Sequence, residues 1–209
     1  MRIHKLVLFT SLLLSGALLG TGRAQTAQTP PNAAQAPAGA SVSTTATLPS
    51  TDRKLVIELE VPATVDEVWQ AFTTSEGLTS WLAPKATVDL KAGGDWIVSF
   101  PGRNSTGGGT IVSFVPEKEL VLAALAPDQF PDVRAQRTRA VFTFEAHGDV
   151  TVVRLTQTGW KTGTEWDRAY EYLIAGNAQL MSALHRRFAE GPIDWEKIAA
   201  ADSSKKEQK

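Results

Sequence analysis

Asn177 interrupts an apolar helical stripe formed by Leu173, Leu180 and Leu184, and so carries a polar amide onto a face otherwise suited to burial. A buried amide without partners costs roughly 2 kcal/mol or more. Asn177 therefore needs either a structural hydrogen bond to sheet backbone or a ligand that it orients. Gly176 beside it lowers helix propensity by about 1 kcal/mol relative to alanine, which fits a close approach by a strand or a ligand. Trp166 and Tyr170 continue the stripe toward the helix start, as core or as the cap of a cavity mouth. Arg134, Arg137 and Arg139 concentrate positive charge. They read as a solvated loop face or, for Arg134 and Arg137, as an anchor for a carboxylate or phosphate. Arg154 falls between Val153 and Leu155 in a strand, pointing outward to an acid such as Glu145 or inward to a ligand.

Other chemistries lack their residues. The three histidines are His4, His147 and His185, none with a second histidine or a carboxylate at ligand spacing, and cysteine is absent. No metal site, thiol nucleophile, disulfide or cofactor is expected. There is no Gly-x-Ser-x-Gly elbow. Gly107, Gly108 and Gly109 belong to no phosphate loop and read as a flexible hairpin end. Glu165 and Asp167 suit the N-terminal dipole of the last helix without invoking acid–base catalysis.

These side chains need a scaffold, and the composition supplies one. With 43% hydrophobic and 21% charged residues the chain is globular. Residues 1–24 follow the plan of a secretory leader. Arg2, His4 and Lys5 precede an apolar run over 6–19, and Gly22 and Ala24 are the small residues before cleavage. The run is shorter than the roughly twenty residues of a stable span, so a cleaved leader with no membrane span left is the expectation, and an uncleaved N-terminal anchor the alternative. The mature chain would then carry 18 basic against 22 acidic residues and lie in the periplasm or outside the cell. That balance argues against nucleic acid as a partner. Residues 25–51, rich in Ala, Pro, Thr and Gln, read as a disordered tether. Residues 52–196 form the domain, and 197–209 a charged flexible tail.

Within the domain, alternation over 54–61 marks a half-buried strand. Thr64 and Glu67 form a capping box for a short helix whose apolar face is Val65, Val68, Trp69 and Phe72. A further helical turn over 75–81 stops at Pro84. Strands over 86–90, 94–100, 109–115, 120–124, 139–146 and 150–158 are separated by turn residues, which indicates an antiparallel meander. A loop over 127–138 interrupts them. The longest helix, 164–188, ends at Gly191 and Pro192.

Four phrases in this order carry a family resemblance: VPATVDEVWQAFTTSEGLTSWLAP (61–84), DLKAGGDWIVSF (89–100), VFTFEAHGDVTVVRLTQTGW (141–160) and RFAEGPIDW (187–195). Together they resemble the START-like helix-grip (SRPBCC) superfamily, in the branch named after the heat-shock protein 90 ATPase activator homologues. The resemblance implies an α+β helix-grip fold, a curved antiparallel sheet of six to seven strands round a long C-terminal helix. It also implies a cavity between them for a small lipophilic or amphipathic ligand. Trp81, Trp96, Arg154, Trp166, Tyr170, Leu173, Asn177 and Leu180 are its candidate lining residues. A non-catalytic binding domain, monomeric or weakly dimeric, is the leading expectation. Cyclase, aromatase or hydrolase chemistry in the same cavity is the alternative. A chaperone-adaptor role is a third possibility, which export from the cytoplasm would remove. Burying about 300 Å² of apolar ligand surface yields roughly 7 kcal/mol, against an association cost on the order of 4–15 kcal/mol. A specific ligand thus needs a polar anchor, for which Asn177, Arg154 and the arginine loop are available.

Overall fold

The alternation that begins at Leu55 becomes the first strand of a computed structural model, which describes residues 53–100 and 105–207. The expected leader and tether, residues 1–24 and 25–51, lie outside the described residues. Strand β1 (Leu55–Val61) buries Leu55 and Val61 and exposes Val56, Glu58 and Glu60, as a period of two requires. Pro62 follows, and the chain turns into α1 (Val65–Thr73).

Thr64 caps α1 through the expected box. Its hydroxyl accepts from the Glu67 N–H, while its own N–H and hydroxyl donate to the Glu67 carboxylate. Replacing a capping threonine by alanine typically costs about 1 kcal/mol, and we expect that loss for Thr64→Ala in chemical denaturation. The bonds from Thr64, backbone first and then hydroxyl, hold the Glu67 carboxyl below its ordinary range. A depressed folded-state pKa means stability that is present above the unfolded carboxylate pKa and lost as pH falls through the folded value. Glu67→Gln, which removes the carboxylate that both bonds hold, should therefore flatten the acid limb of the stability–pH curve. An unchanged limb would refute this linkage.

The C-terminal end of α1 is closed by tryptophans. The last carbonyls of a helix lack intrahelical donors. Trp81 Nε1 donates to the Ala71 carbonyl at 2.9 Å, and Trp96 Nε1 to the Phe72 carbonyl at 2.7 Å. Trp195 Nε1 does the same for Thr79, the last residue of α2 (Ser75–Thr79). Trp81 is thus a core residue, 1% exposed, and not the cavity residue expected from its family phrase.

The remaining strands are β2 (Lys85–Val88), β3 (Asp95–Phe100), β4 (Ser105–Val115), β5 (Glu119–Leu125), β6 (Thr138–His147) and β7 (Val150–Thr158). They form one seven-stranded antiparallel sheet in the order β1-β7-β6-β5-β4-β3-β2. The meander is as expected, with β1 joining it beside β7. Two segments differ from their sequence reading. Gly107, Gly108 and Gly109 lie inside β4, paired with Val98, Ile97 and Trp96, and are not a hairpin end. A Cβ on Gly108 would stand 2.0 Å from the Trp96 carbonyl oxygen, and one on Gly109 2.4 Å from that of Ala123. Glycine serves here for close backbone approach. The expected loop over 127–138 contains a helix, α3 (Pro131–Gln136). Pro131 opens it, where a missing N–H is harmless. Glu165 Oε1 accepts from the N–H groups of Asp132 and Val133. A carboxylate from a distant element supplies the cap that local sequence lacks.

Helix α4 (Thr164–Glu190) lies against the sheet, with Gly191 at its C-cap at φ 97°. It buries Trp166 and Ala169 near one end and Met181 and Leu184 near the other. Between Ala169 and Met181 no residue of α4 is buried. The chain then forms α5 (Trp195–Glu207), which places a helix across most of the segment read as a flexible tail.

Candidate functional site

The unburied middle of α4 stands over a cavity of about 590 Å³. From the helix, Leu173, Gly176, Asn177, Leu180 and Ala183 line it, at the three- and four-residue spacing of one face. The floor is the inner face of the sheet: Trp96, Val98, Leu122, Ala140, Phe142, Leu155 and Gln157, all buried. Exposed lining residues mark a rim at Thr106, Asp128, Gln129, Tyr172 and Gln179. Missing side chains contribute to the space. Gly107 and Gly108 line it from β4, and a Cβ on Gly176 would meet nothing within 4 Å. Gly176 therefore permits no close approach by a strand; it leaves room.

The polar part of the lining is an amide pair. Asn177 Nδ2 donates to Gln157 Oε1 at 2.8 Å, and Gln157 Nε2 donates to the buried Thr138 hydroxyl at 2.7 Å. The partner of Asn177 is thus a sheet side chain and not sheet backbone. Trp160 Nε1 holds the Gln157 carbonyl at 3.0 Å and steadies the strand end. Gln157 and Thr138 are absent from the sequence candidates. The alternation along β7 carried a signal for Gln157, since Thr151, Val153, Leu155 and Gln157 share the buried face.

Of the other candidates, Trp96, Leu173 and Leu180 line the cavity with Asn177, and four do not. Trp81 is core. Trp166 belongs to a second, smaller cluster with Phe130, Val133 and Trp160, beneath the start of α4. Tyr170 stacks edge-on against Trp160 at 5.0 Å, lies under the Arg53 guanidinium, and donates its hydroxyl to the Lys54 carbonyl beside β1. It binds the helix to its own sheet edge rather than capping a mouth. Arg154 points outward, paired with Glu58 directly across from it on β1, not with Glu145. Half-exposed pairs of this kind contribute little to stability.

Neither proposed anion anchor reaches the lining. The Arg134 guanidinium donates to the Ala126 carbonyl, pairs with Asp128 at 3.1 Å and lies 3.5 Å from the Thr106 hydroxyl, so it ties the rim together. Arg137 ends α3 at φ 61°, with its Nη1 buried and without a hydrogen-bond partner among the described residues. Among the described lining residues, Asp128 is the one carboxylate and Tyr172 the one phenol, both on the exposed rim.

This layout, a curved antiparallel sheet closed by a long helix over an apolar cavity, coincides with a family match. The family described as Activator of Hsp90 ATPase homolog 1-like protein matches residues 62–189, more than half of the chain. The chain belongs to that family. It has the START-like helix-grip fold, and solved structures share it. The Aha1 dimer of Colwellia psychrerythraea is 19% identical with a TM-score of 0.55, over 66% of this chain and 98% of that one. Protein MLL2253 of Mesorhizobium loti is 20% identical with a TM-score of 0.56, over 68% and 100%. CalU16 of Micromonospora echinospora is 21% identical with a TM-score of 0.51, over 73% and 83%. No curated protein matches the chain. At these identities the family members share a fold, and function must be argued from the site. Among the described residues no helix is long and apolar enough to cross a membrane, and no group of three or more His, Asp or Glu could hold a metal ion.

Proposed function

We propose that the domain binds a small lipophilic or amphipathic molecule between the sheet and α4, without transforming it. The observation that carries this reading is the cavity itself. Its volume falls in the range of about 300–1,000 Å³ typical of small-molecule sites, and its floor is mainly apolar. A non-catalytic role follows from the polar groups on offer. Two amides bonded to each other, one rim carboxylate paired to arginine and the exposed Tyr172 phenol, its ring against Phe130, place no acid–base couple over the apolar floor.

The hydrocarbon dye diphenylhexatriene, dark in water and bright in an apolar site, provides the test. Saturable fluorescence with the purified domain is expected, at about one dye per chain. Absence of binding by this dye and by long-chain alcohols would overturn the reading. We further propose that the domain works outside the cytoplasm, on the strength of the leader pattern over 1–24. N-terminal sequencing of the envelope fraction is expected to begin at Gln25. Full-length chain in the cytosol would refute export and reopen the adaptor role.

A further inference from the structure

The amide pair has unused capacity. Asn177 spends one N–H on Gln157, and Gln157 spends one on Thr138. The second Asn177 N–H and its Oδ1 have no partner among the described residues, and Asn177 is only half-buried, so both are available on the cavity lining. A neighbouring donor and acceptor match a group that accepts one hydrogen bond and donates another. A hydroxyl does both.

Charge sets the second limit. Among the described residues no lysine, arginine or histidine lines the cavity, and the one carboxylate there, Asp128, sits on the rim with Arg134 as its ion-pair partner. Arg134 is itself engaged with Ala126 and Thr106 as well. A ligand carboxylate or ammonium carried to the amide pair would lose its hydration and find no free counter-charge among the described lining residues, since Arg137 lies outside the lining; that is a severe cost in an apolar site.

We propose that the cavity selects an uncharged amphipathic ligand, an alcohol or phenol, whose hydroxyl bridges the free donor and acceptor of Asn177. The proposal rests on the binding function above and goes further, because an apolar cavity alone would take any greasy molecule. Ligands with one ten-carbon chain and different ends test it by competition against diphenylhexatriene. 1-Decanol is expected to displace the dye at a concentration roughly tenfold lower than decyl methyl ether, which is more apolar but donates nothing. Decanoate and decylammonium are expected to compete more weakly still. Asn177→Leu should abolish the roughly tenfold preference for decanol over decyl methyl ether, whatever its effect on the dye. Asn177→Ala, which removes the same donor and acceptor without adding bulk, serves as a second variant if the first fails to fold, and circular dichroism checks both.

Failure of the dye and of every competitor to bind overturns the binding function and this inference with it. Dye binding with ether or decanoate as effective as decanol overturns the inference alone. So does an undiminished preference for decanol over the ether in a folded Asn177→Leu protein.

Discussion

Gly176→Leu is expected to weaken diphenylhexatriene binding at least about tenfold while leaving the fold intact. Gly176 shares the lining face of α4 with Leu173, Asn177 and Leu180, so a side chain added there projects into the cavity. Nothing lies within 4 Å of the Cβ position, so the backbone has no clash to relieve. Helix propensity even favours the change, since glycine is less favourable in a helix interior than leucine by most of the roughly 1 kcal/mol that separates it from alanine. The melting temperature should hold or rise as affinity falls. Gly176→Ala separates the two effects: it should keep the stability gain and lose little binding. Gly108→Ala is the contrasting case. That residue lines the same cavity, but its added Cβ would collide with the Trp96 carbonyl oxygen at 2.0 Å, and a positive φ of 111° compounds the strain. It should damage the β3–β4 ladder itself. Unchanged dye affinity in Gly176→Leu would show that ligand, if bound, sits elsewhere.

The architecture was largely legible because its signals are local. Alternation marks β1, a four-residue box caps α1, and Gly191 ends α4. The misread segments are those stabilised from a distance. Glycines disfavour strands on their own, and at Gly108 and Gly109 the flanking strands β3 and β5 approach too closely for a side chain. Helix α3 spans six residues, too few for a periodic pattern, and takes its cap from Glu165, more than thirty residues away.

The site was half legible for a related reason. Helical spacing placed Leu173, Asn177 and Leu180 on one stripe, and the cavity uses that stripe. Spacing could not show that the same stripe changes neighbours along its length. Its first turns meet α3 and Trp160, so Trp166 and Tyr170 pack there instead. Arg154 was ambiguous between two apolar neighbours. The strand read as far as Gln157 resolves it, since every odd position from Thr151 onward is buried and Arg154 is even. The aromatic count misled most. Tryptophans were weighed as core or as ligand contacts, whereas Trp81, Trp96 and Trp195 are also hydrogen-bond donors that finish helices.

That dual role makes Trp81→Ala the substitution with the largest expected loss of stability. The change removes a large, fully buried side chain, for which tryptophan or phenylalanine truncations cost about 3–5 kcal/mol. Phe72, whose ring centroid lies 5.2 Å from that of Trp81, would lose its packing partner. The Ala71 carbonyl would lose the donor that satisfies it near the end of α1. Against a typical domain stability of about 5–15 kcal/mol, this brings the protein near the unfolding threshold. Trp81→Phe separates the contributions. It keeps a six-membered ring but loses the N–H and the rest of the pyrrole ring, so the expected cost lies between the roughly 1–3 kcal/mol of an unsatisfied buried carbonyl and the full truncation. Urea denaturation measures both, with the slope checked for a common unfolding transition. The same pair distinguishes scaffold from site. Trp81 does not line the cavity, so folded Trp81→Phe should bind diphenylhexatriene as tightly as the parent chain. Reduced affinity with unchanged stability would return Trp81 to the ligand contacts and contradict the placement of the cavity.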